Sequence, residues 1–221
     1  MTLLKIGIIS NVHSNLYSLM EIYDLLEKEC VEFILCLGDI VGYGPHPNEV
    51  VNFIKRKHIV SIKGIYDSAV INNDFSCINE GTINSFSVNF TFMELTKNNL
   101  YYLSSLPSEL IMNFGNFDIK FVHKNPYKSD QDIQEDILVC GYEHTPNKIK
   151  VGKGKCIIIP GSCGKPVSSI GGVSCGVLDI SNNVYNYKIL KCKHLFSKIN
   201  KDMKMMNFPE ILINSYDIDT Y

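Results

Sequence analysis

The first sixty residues change period four times, and that alternation limits the folds open to the chain. Leu4-Lys5-Ile6-Gly7-Ile8-Ile9 reads as a buried strand. From Leu16 to Lys28 the apolar positions Leu16, Leu19, Met20, Tyr23 and Leu26 recur at helical spacing, with Glu21, Asp24, Glu27 and Lys28 between them. Phe33 to Leu37 is a second apolar strand, Pro47 to Lys57 a helix with proline in its first turn, and Ile59 to Ile62 a third strand. Strand, helix, strand, helix, strand is the pattern of a parallel α/β sheet, because parallel neighbours need a crossover helix between them.

The later chain is consistent with a second sheet. Phe86 to Ser104 is expected to form one or two helices. Strands follow at Leu110–Phe114, Phe117–Val122, Ile137–Gly141, Cys156–Ile159, Val173–Asp179 and Tyr185–Leu190. Asn113-Phe114-Gly115-Asn116 and Ser181-Asn182-Asn183 are hairpin turns. The tail from Phe196 to Tyr216 reads as helical, broken at Pro209. No low-complexity tract or linker divides the chain, so a single domain over 1–221 is expected.

Composition excludes several classes of function. Lys and Arg number 21 against 23 Asp and Glu, so the chain has no basic surplus for phosphate-backbone contacts and no nucleic-acid partner is expected. No apolar run approaches a membrane span, and Met1 to Ser10 is too short for a signal-peptide core. The eight cysteines include no C-x-x-C pair, so zinc knuckles and redox dithiols are unsupported. A cytoplasmic protein with reduced, packed thiols is the expectation.

In sheets of this kind chemistry collects beyond the carboxyl ends of the strands. His13 follows the first strand and Asp39 the second; Gly64-Ile65-Tyr66-Asp67 follows the third. Later strands end at His123, at Gly141-Tyr142-Glu143-His144 and at Pro160-Gly161-Ser162-Cys163-Gly164. One histidine at a strand end is usually a packed or capped residue. Three of them with a Gly-Asp turn suit a borderline divalent metal, which takes neutral imidazole nitrogen and anionic oxygen.

These segments resemble the calcineurin-like metallophosphoesterases, in their small bacterial and archaeal branch. That family's signature runs D-x-H, G-D, G-N-H-D, a lone H and G-H-x-H. The matching positions are Asn11-Val12-His13, Gly38-Asp39, Gly64-Ile65-Tyr66-Asp67, His123 and Gly141-Tyr142-Glu143-His144. Ser10–Asn15 is similar to the family's SDIHGN, Leu37–Pro45 to its LGDIVGYGP, and Pro160–Pro166 to its PGSVGQP. The resemblance spans about residues 4 to 190 and implies a four-layer αββα sandwich.

What the resemblance implies for the site is uneven. One metal position would keep His13, Asp39 and His144, with Asn11 where the family has Asp. The other would keep Asp39 and His123, but has Ile65 for Asn and Tyr142 for His. Tyr66 stands where relatives place a histidine that binds phosphate or protonates the leaving group. Asp39, His123 and Tyr66 are therefore the candidate catalytic residues, and Asn11, His13, Asp39, His123 and His144 the candidate metal ligands. Asn11 offers a neutral oxygen, Ile65 offers no donor, and Tyr142 ligates only as a phenolate. One ion of Mn, Fe or Zn is expected, with the second site weak or lost.

The implied activity is hydrolysis of a small phosphate-containing substrate at an altered, mononuclear centre. A non-catalytic descendant that binds a protein partner is the alternative, as in the retromer subunit of this fold; a different metal-dependent reaction is a third. Glu143 and His46 are expected at the surface, Cys163 as a packed thiol, and Lys124 and Lys165 as solvated cations.

Overall fold

A computed structural model describes residues 4–74, 76, 78, 82–167, 171–193 and 196–217. Cys77 lies outside the described residues. Two mixed sheets flanked by helices form the architecture, as the sequence pattern led us to expect.

The first sheet begins with β1 (Leu4–Ile9), α1 (Leu16–Lys28), β2 (Phe33–Cys36), α2 (Pro47–Arg56) and β3 (Val60–Ser61). β1 pairs parallel with β2, and β2 with β3. β9 (Val173–Ile180) and β10 (Tyr185–Cys192) return as an antiparallel hairpin on the other side of β1, giving the order β10-β9-β1-β2-β3. α1 begins where the Asn15 side chain accepts the Ser18 N–H at 3.2 Å, and it buries Leu19, Ile22 and Leu26 at helical spacing.

α3 (Ile65–Asn72) starts immediately after β3, where the sequence reading assigned no element. It is followed by α4 (Thr82–Glu94) and α5 (Lys97–Ser105), which divide the expected helical stretch in two. The second sheet contains β4 (Glu109–Phe114), β5 (Phe117–Val122), β6 (Ile137–Cys140), β7 (Asn147–Lys150) and β8 (Cys156–Ile159), ordered β4-β5-β6-β8-β7. β7 carries no apolar run, only Ile149 among polar neighbours, and so escapes a reading by hydrophobicity. α6 (Phe196–Met205) and α7 (Glu210–Asn214) close the chain on either side of Pro209.

Strand residues alternate between two apolar environments. Ile6, Ile8, Leu35 and Leu37 of the first sheet face Ile119, Phe121, Ile137 and Val139 of the second and form the inter-sheet core. Each such buried aliphatic side chain contributes about 1.5–3 kcal/mol relative to exposure. Ile9, Ile34 and Cys36 face the other way and pack with Leu19, Ile22, Val50 and Ile54 of the helices. Because both faces of β1 and β2 are covered, their residues read as unbroken apolar runs. Their carboxyl ends open on one edge of the sandwich, where the polar loops meet.

Candidate metal centre

Four loops are knitted together by their backbones at that edge. Asn11 N donates to Gly38 O, His13 N to Asp39 O and Ser14 N to Ile40 O at 2.9–3.1 Å, so the first loop lies along the second. On its other side, Cys163 N donates to Ser10 O and Gly164 N to Asn11 O at 2.8 and 2.9 Å. A Cβ added to Gly164 would stand 1.7 Å from Val12 O, which is why that turn carries glycine. Gly141 N and Tyr142 N both donate to His123 O, at 2.9 and 2.7 Å, and this fixes the fourth loop.

The conformation of these loops is costly. Asn11, His13, Ser14, Asp39 and Tyr43 all have φ between 48° and 56°, the left-handed region. Asn, Asp and His tolerate it better than most residues, yet five such positions in two adjoining loops mark a constrained site.

Asp39 is buried at its centre. Its Oδ1 accepts the Tyr66 N–H at 2.8 Å from the first turn of α3, so the carboxylate sits at the positive end of that helix. Its Oδ2 lies 3.3 Å from His123 Nε2 and 3.9 Å from His13 Nε2. Burial works against the Asp39 charge, but His123 and His13 outweigh it and hold the carboxyl below its ordinary range. Burial likewise opposes charge on His123, and Asp39 outweighs it, so that imidazole stands above its ordinary value.

The histidines are oriented from behind. His123 Nδ1 lies 2.7 Å from Leu37 O, and His13 Nδ1 lies 3.4 Å from Val41 O. Anchoring one ring nitrogen on a backbone carbonyl turns the other, Nε2, into the site with its lone pair outward. His13 Nε2 and His144 Nε2 face each other at 3.4 Å. Burial pushes His13 down to about 3, although Asp39 opposes it, and pushes His144 down to about 4, with Lys165 adding to the effect. Both are therefore neutral at pH 7, the ligating form.

Asn11 completes one side of the centre. Its Nδ2 donates to Gly141 O at 2.7 Å, and its Oδ1 is buried with no hydrogen-bond partner. His123 Nε2 is also buried, with the Asp39 carboxylate 3.3 Å away. Among the described residues no group of three or more His, Cys, Asp or Glu side chains is arranged to hold a metal ion by itself. The donor chemistry on the Asn11 side nevertheless fits an ion. Two imidazole lone pairs 3.4 Å apart match the spacing of roughly 3.3 Å for two nitrogens on one tetrahedral ion with bonds of about 2.0 Å. The orphaned Asn11 oxygen and the Asp39 carboxylate supply the remaining donors.

The other side does not fit. Ile65 is half-buried and packs into the helix-side core, so it gives the site no donor atom. Tyr142 is 42% exposed, with its ring edge-on to His123 at a centroid distance of 5.9 Å and the Lys124 ammonium 5.3 Å above it.

Tyr66 points into the centre and contacts the His13 ring edge-on at 5.2 Å. Its hydroxyl donates to Tyr43 Oη at 2.5 Å, and burial, reinforced by Tyr43, pushes its pKa far up, so the phenol keeps its proton.

Three features were missed by sequence reasoning. Asp67 is fully buried and accepts from Ile40 N, Val41 N and Gly64 N at 2.9–3.1 Å, tying the Asp39 loop to α3. The Gly64-x-x-Asp67 spacing, a cap residue followed by an acid three positions later, was the available signal. His46 is buried rather than at the surface, because Asp202 of α6 takes its Nε2 at 3.1 Å. Lys165 is not a solvated cation; it is half-buried with its ammonium 3.8 Å over the Tyr43 ring. Glu143 is exposed and Cys163 is packed in the core with its thiol pushed well up by burial, both as expected.

Two sheets with a His/Asp cluster at the strand ends define a metallophosphoesterase-type α/β sandwich. The chain belongs to the calcineurin-like phosphoesterase superfamily, whose domain model matches residues 4–183. It is 27% identical over 233 residues to the uncharacterized protein MJ0912 of Methanocaldococcus jannaschii, covering 94% of this chain and 95% of that one. A metallophosphoesterase from Sphaerobacter thermophilus superposes with a TM-score of 0.78 at 24% identity, over 98% of this chain and 99% of that chain. The hypothetical protein PH1004 from Pyrococcus horikoshii OT3 gives 0.81 at 20% identity, over 96% and 98%.

Proposed function

We propose that this protein is a metal-dependent hydrolase of small phosphoesters that works with one tightly held ion of Mn, Fe or Zn. The observations that carry the reading are the cluster of His13 Nε2 with His144 Nε2 and the Asp39 carboxylate, and the buried Asn11 Oδ1 without a hydrogen-bond partner in the adjoining loop. These four residues would hold the ion. When bound, the ion would polarise a phosphoryl oxygen and acidify a water.

The remaining steps belong to the side chains. His13 and His144 stay neutral and keep their lone pairs on the ion, while Asp39 is held by the Tyr66 N–H. His123, anchored on Leu37 O, faces Asp39 and keeps a protonatable nitrogen at the reacting centre. Tyr66 remains a phenol, and its hydroxyl would donate to a phosphoryl or leaving-group oxygen only by exchanging its bond to Tyr43 Oη. A reducing cytoplasm would suit the thiols of such a protein.

The test is elemental analysis after growth with Mn, Fe and Zn, joined to hydrolysis of p-nitrophenyl phosphate and bis-p-nitrophenyl phosphate. The reading expects about one tightly bound metal per chain and activity abolished by Asp39→Asn. Metal-free protein without activity would overturn it.

A second reading is favoured by Ile65 and Tyr142 together. With one position apolar and packed and the other exposed, the second ion site has no complete donor set. A non-catalytic protein that binds a partner through this edge would carry such changes. Phosphoester hydrolysis that depends on Asp39 would exclude it.

A further inference from the structure

Lys165 follows the Pro160–Gly164 turn, where the resembled run PGSVGQP carries Gln. The turn is rigidly placed. Lys165 N donates to Ser162 Oγ at 3.0 Å, Ser162 Oγ donates to Asn11 O at 3.1 Å, and Asn15 Nδ2 donates to Gly164 O at 2.6 Å. The ammonium rests on the Tyr43 ring at 3.8 Å, and that ring meets His13 edge-on at 4.8 Å. Its charge is felt by both His13 and His144.

Burying a lysine ammonium is costly unless something stabilises its charge. Among the described residues Lys165 forms no ion pair; half-buried Lys63 and Lys155 also form none but donate to backbone carbonyls, and Lys148, like Lys165, rests on a tyrosine ring. A ring face differs from a carboxylate in a useful way: it orients and partly desolvates the cation without cancelling its charge. No carboxylate neutralises the cation, although burial lowers the Lys165 pKa to about 8, and it lies at an edge where Ile65 and Tyr142 have weakened the second ion site. Dehydration also strengthens its pull on an anion.

We propose that Lys165 is the phosphoryl-binding cation of this centre, its ammonium meeting the oxygens of a phosphomonoester or of inorganic phosphate and replacing part of the charge that a second ion would bring. This rests on the hydrolase reading for its catalytic consequence, but the anion site itself is measurable without turnover.

The experiment titrates inorganic phosphate calorimetrically into the full-length, Mn-loaded protein and its Lys165→Gln and Lys165→Arg variants. Mn content and p-nitrophenyl phosphate kinetics are measured alongside. Lys165→Gln is expected to keep its Mn and to bind phosphate about tenfold more weakly or worse, while Lys165→Arg retains most of the affinity because its cation can also lie on Tyr43. Equal phosphate affinity in the wild type and Lys165→Gln, or equal losses in the Gln and Arg variants, would overturn the anion site. If the wild type binds phosphate through Lys165 yet hydrolyses no phosphoester, the hydrolase reading fails and the anion site stands. If it hydrolyses with Lys165→Gln unaltered in binding and rate, the reverse holds.

Discussion

Asn11 gives its side-chain N–H to the carbonyl of Gly141 at 2.7 Å, which leaves its Oδ1 buried with no hydrogen-bond partner. The arrangement accounts for an amide at a position where relatives carry a carboxylate. An ionised aspartate would press a second acceptor against Gly141 O. Asn11→Asp is therefore expected to destabilise the metal-free protein by about 1–3 kcal/mol and to recover when Mn is added, since a cation relieves the repulsion. Denaturant unfolding with and without chelator measures both. Equal stability of the two proteins without metal would contradict the account.

Metal loading should itself stabilise the fold. The left-handed loops around Asn11, His13 and Asp39 hold their donors close together, and His13 Nε2 lies 3.4 Å from His144 Nε2. An ion that binds only this arrangement adds about 2.7 kcal/mol at a hundredfold excess over its Kd. The midpoint of thermal unfolding should rise with Mn, and Asp39→Asn should remove most of the rise. An unchanged midpoint in the wild type would mean that the donors do not hold an ion.

The sheet strands and α1 were legible because both faces of the central strands are apolar and because Leu19, Ile22 and Leu26 keep helical spacing. The candidate ligands were legible because each follows a strand. What escaped was set by contacts distant in sequence. Lys165 becomes a site residue through Tyr43, and His46 is buried through Asp202, 156 residues later. α3 was missed because its short run has no clear apolar period, and its start is marked only by the Asp67 carboxylate accepting from Gly64 N.

Restoring the family donors should restore the second ion. The combined Asn11→Asp, Ile65→Asn and Tyr142→His variant is expected to bind about two metals per chain and to gain phosphodiesterase activity. Ile65 begins α3 and Tyr142 already approaches His123, so both replacements stand next to Asp39 or His123. Elemental analysis decides: no gain in metal would show that these positions do not surround the centre as described.

Asp67 supports the site without facing it. Its carboxylate satisfies three backbone N–H groups from two segments. Asp67→Ala leaves all three buried and should cost about 3 kcal/mol or more. Asp67→Asn keeps one carbonyl acceptor and should cost less. In both, metal affinity should fall with stability, because Ile40 and Val41 continue directly from Asp39. A stable Asp67→Ala protein with normal metal content would refute the clamp.

The C-terminal helices are fastened to the same edge by polar contacts. Asp202 of α6 accepts from the Tyr17 hydroxyl at 2.5 Å and meets His46 Nε2 at 3.1 Å, while Tyr216 donates its hydroxyl to the carbonyl of His13 at 3.3 Å. The loop that bears His13 is thus held from outside by the end of the chain. Asp202→Ala strips the acceptor from two largely buried partners and should cost about 1–3 kcal/mol. Tyr216→Phe keeps the packing and removes one bond to a strained residue, so its stability should drop by no more than about 1 kcal/mol. If the tail positions the site, Tyr216→Phe lowers Mn affinity although it touches no ligand atom directly. If it only covers apolar surface, Mn affinity is unchanged and the contact to His13 has no bearing on the centre.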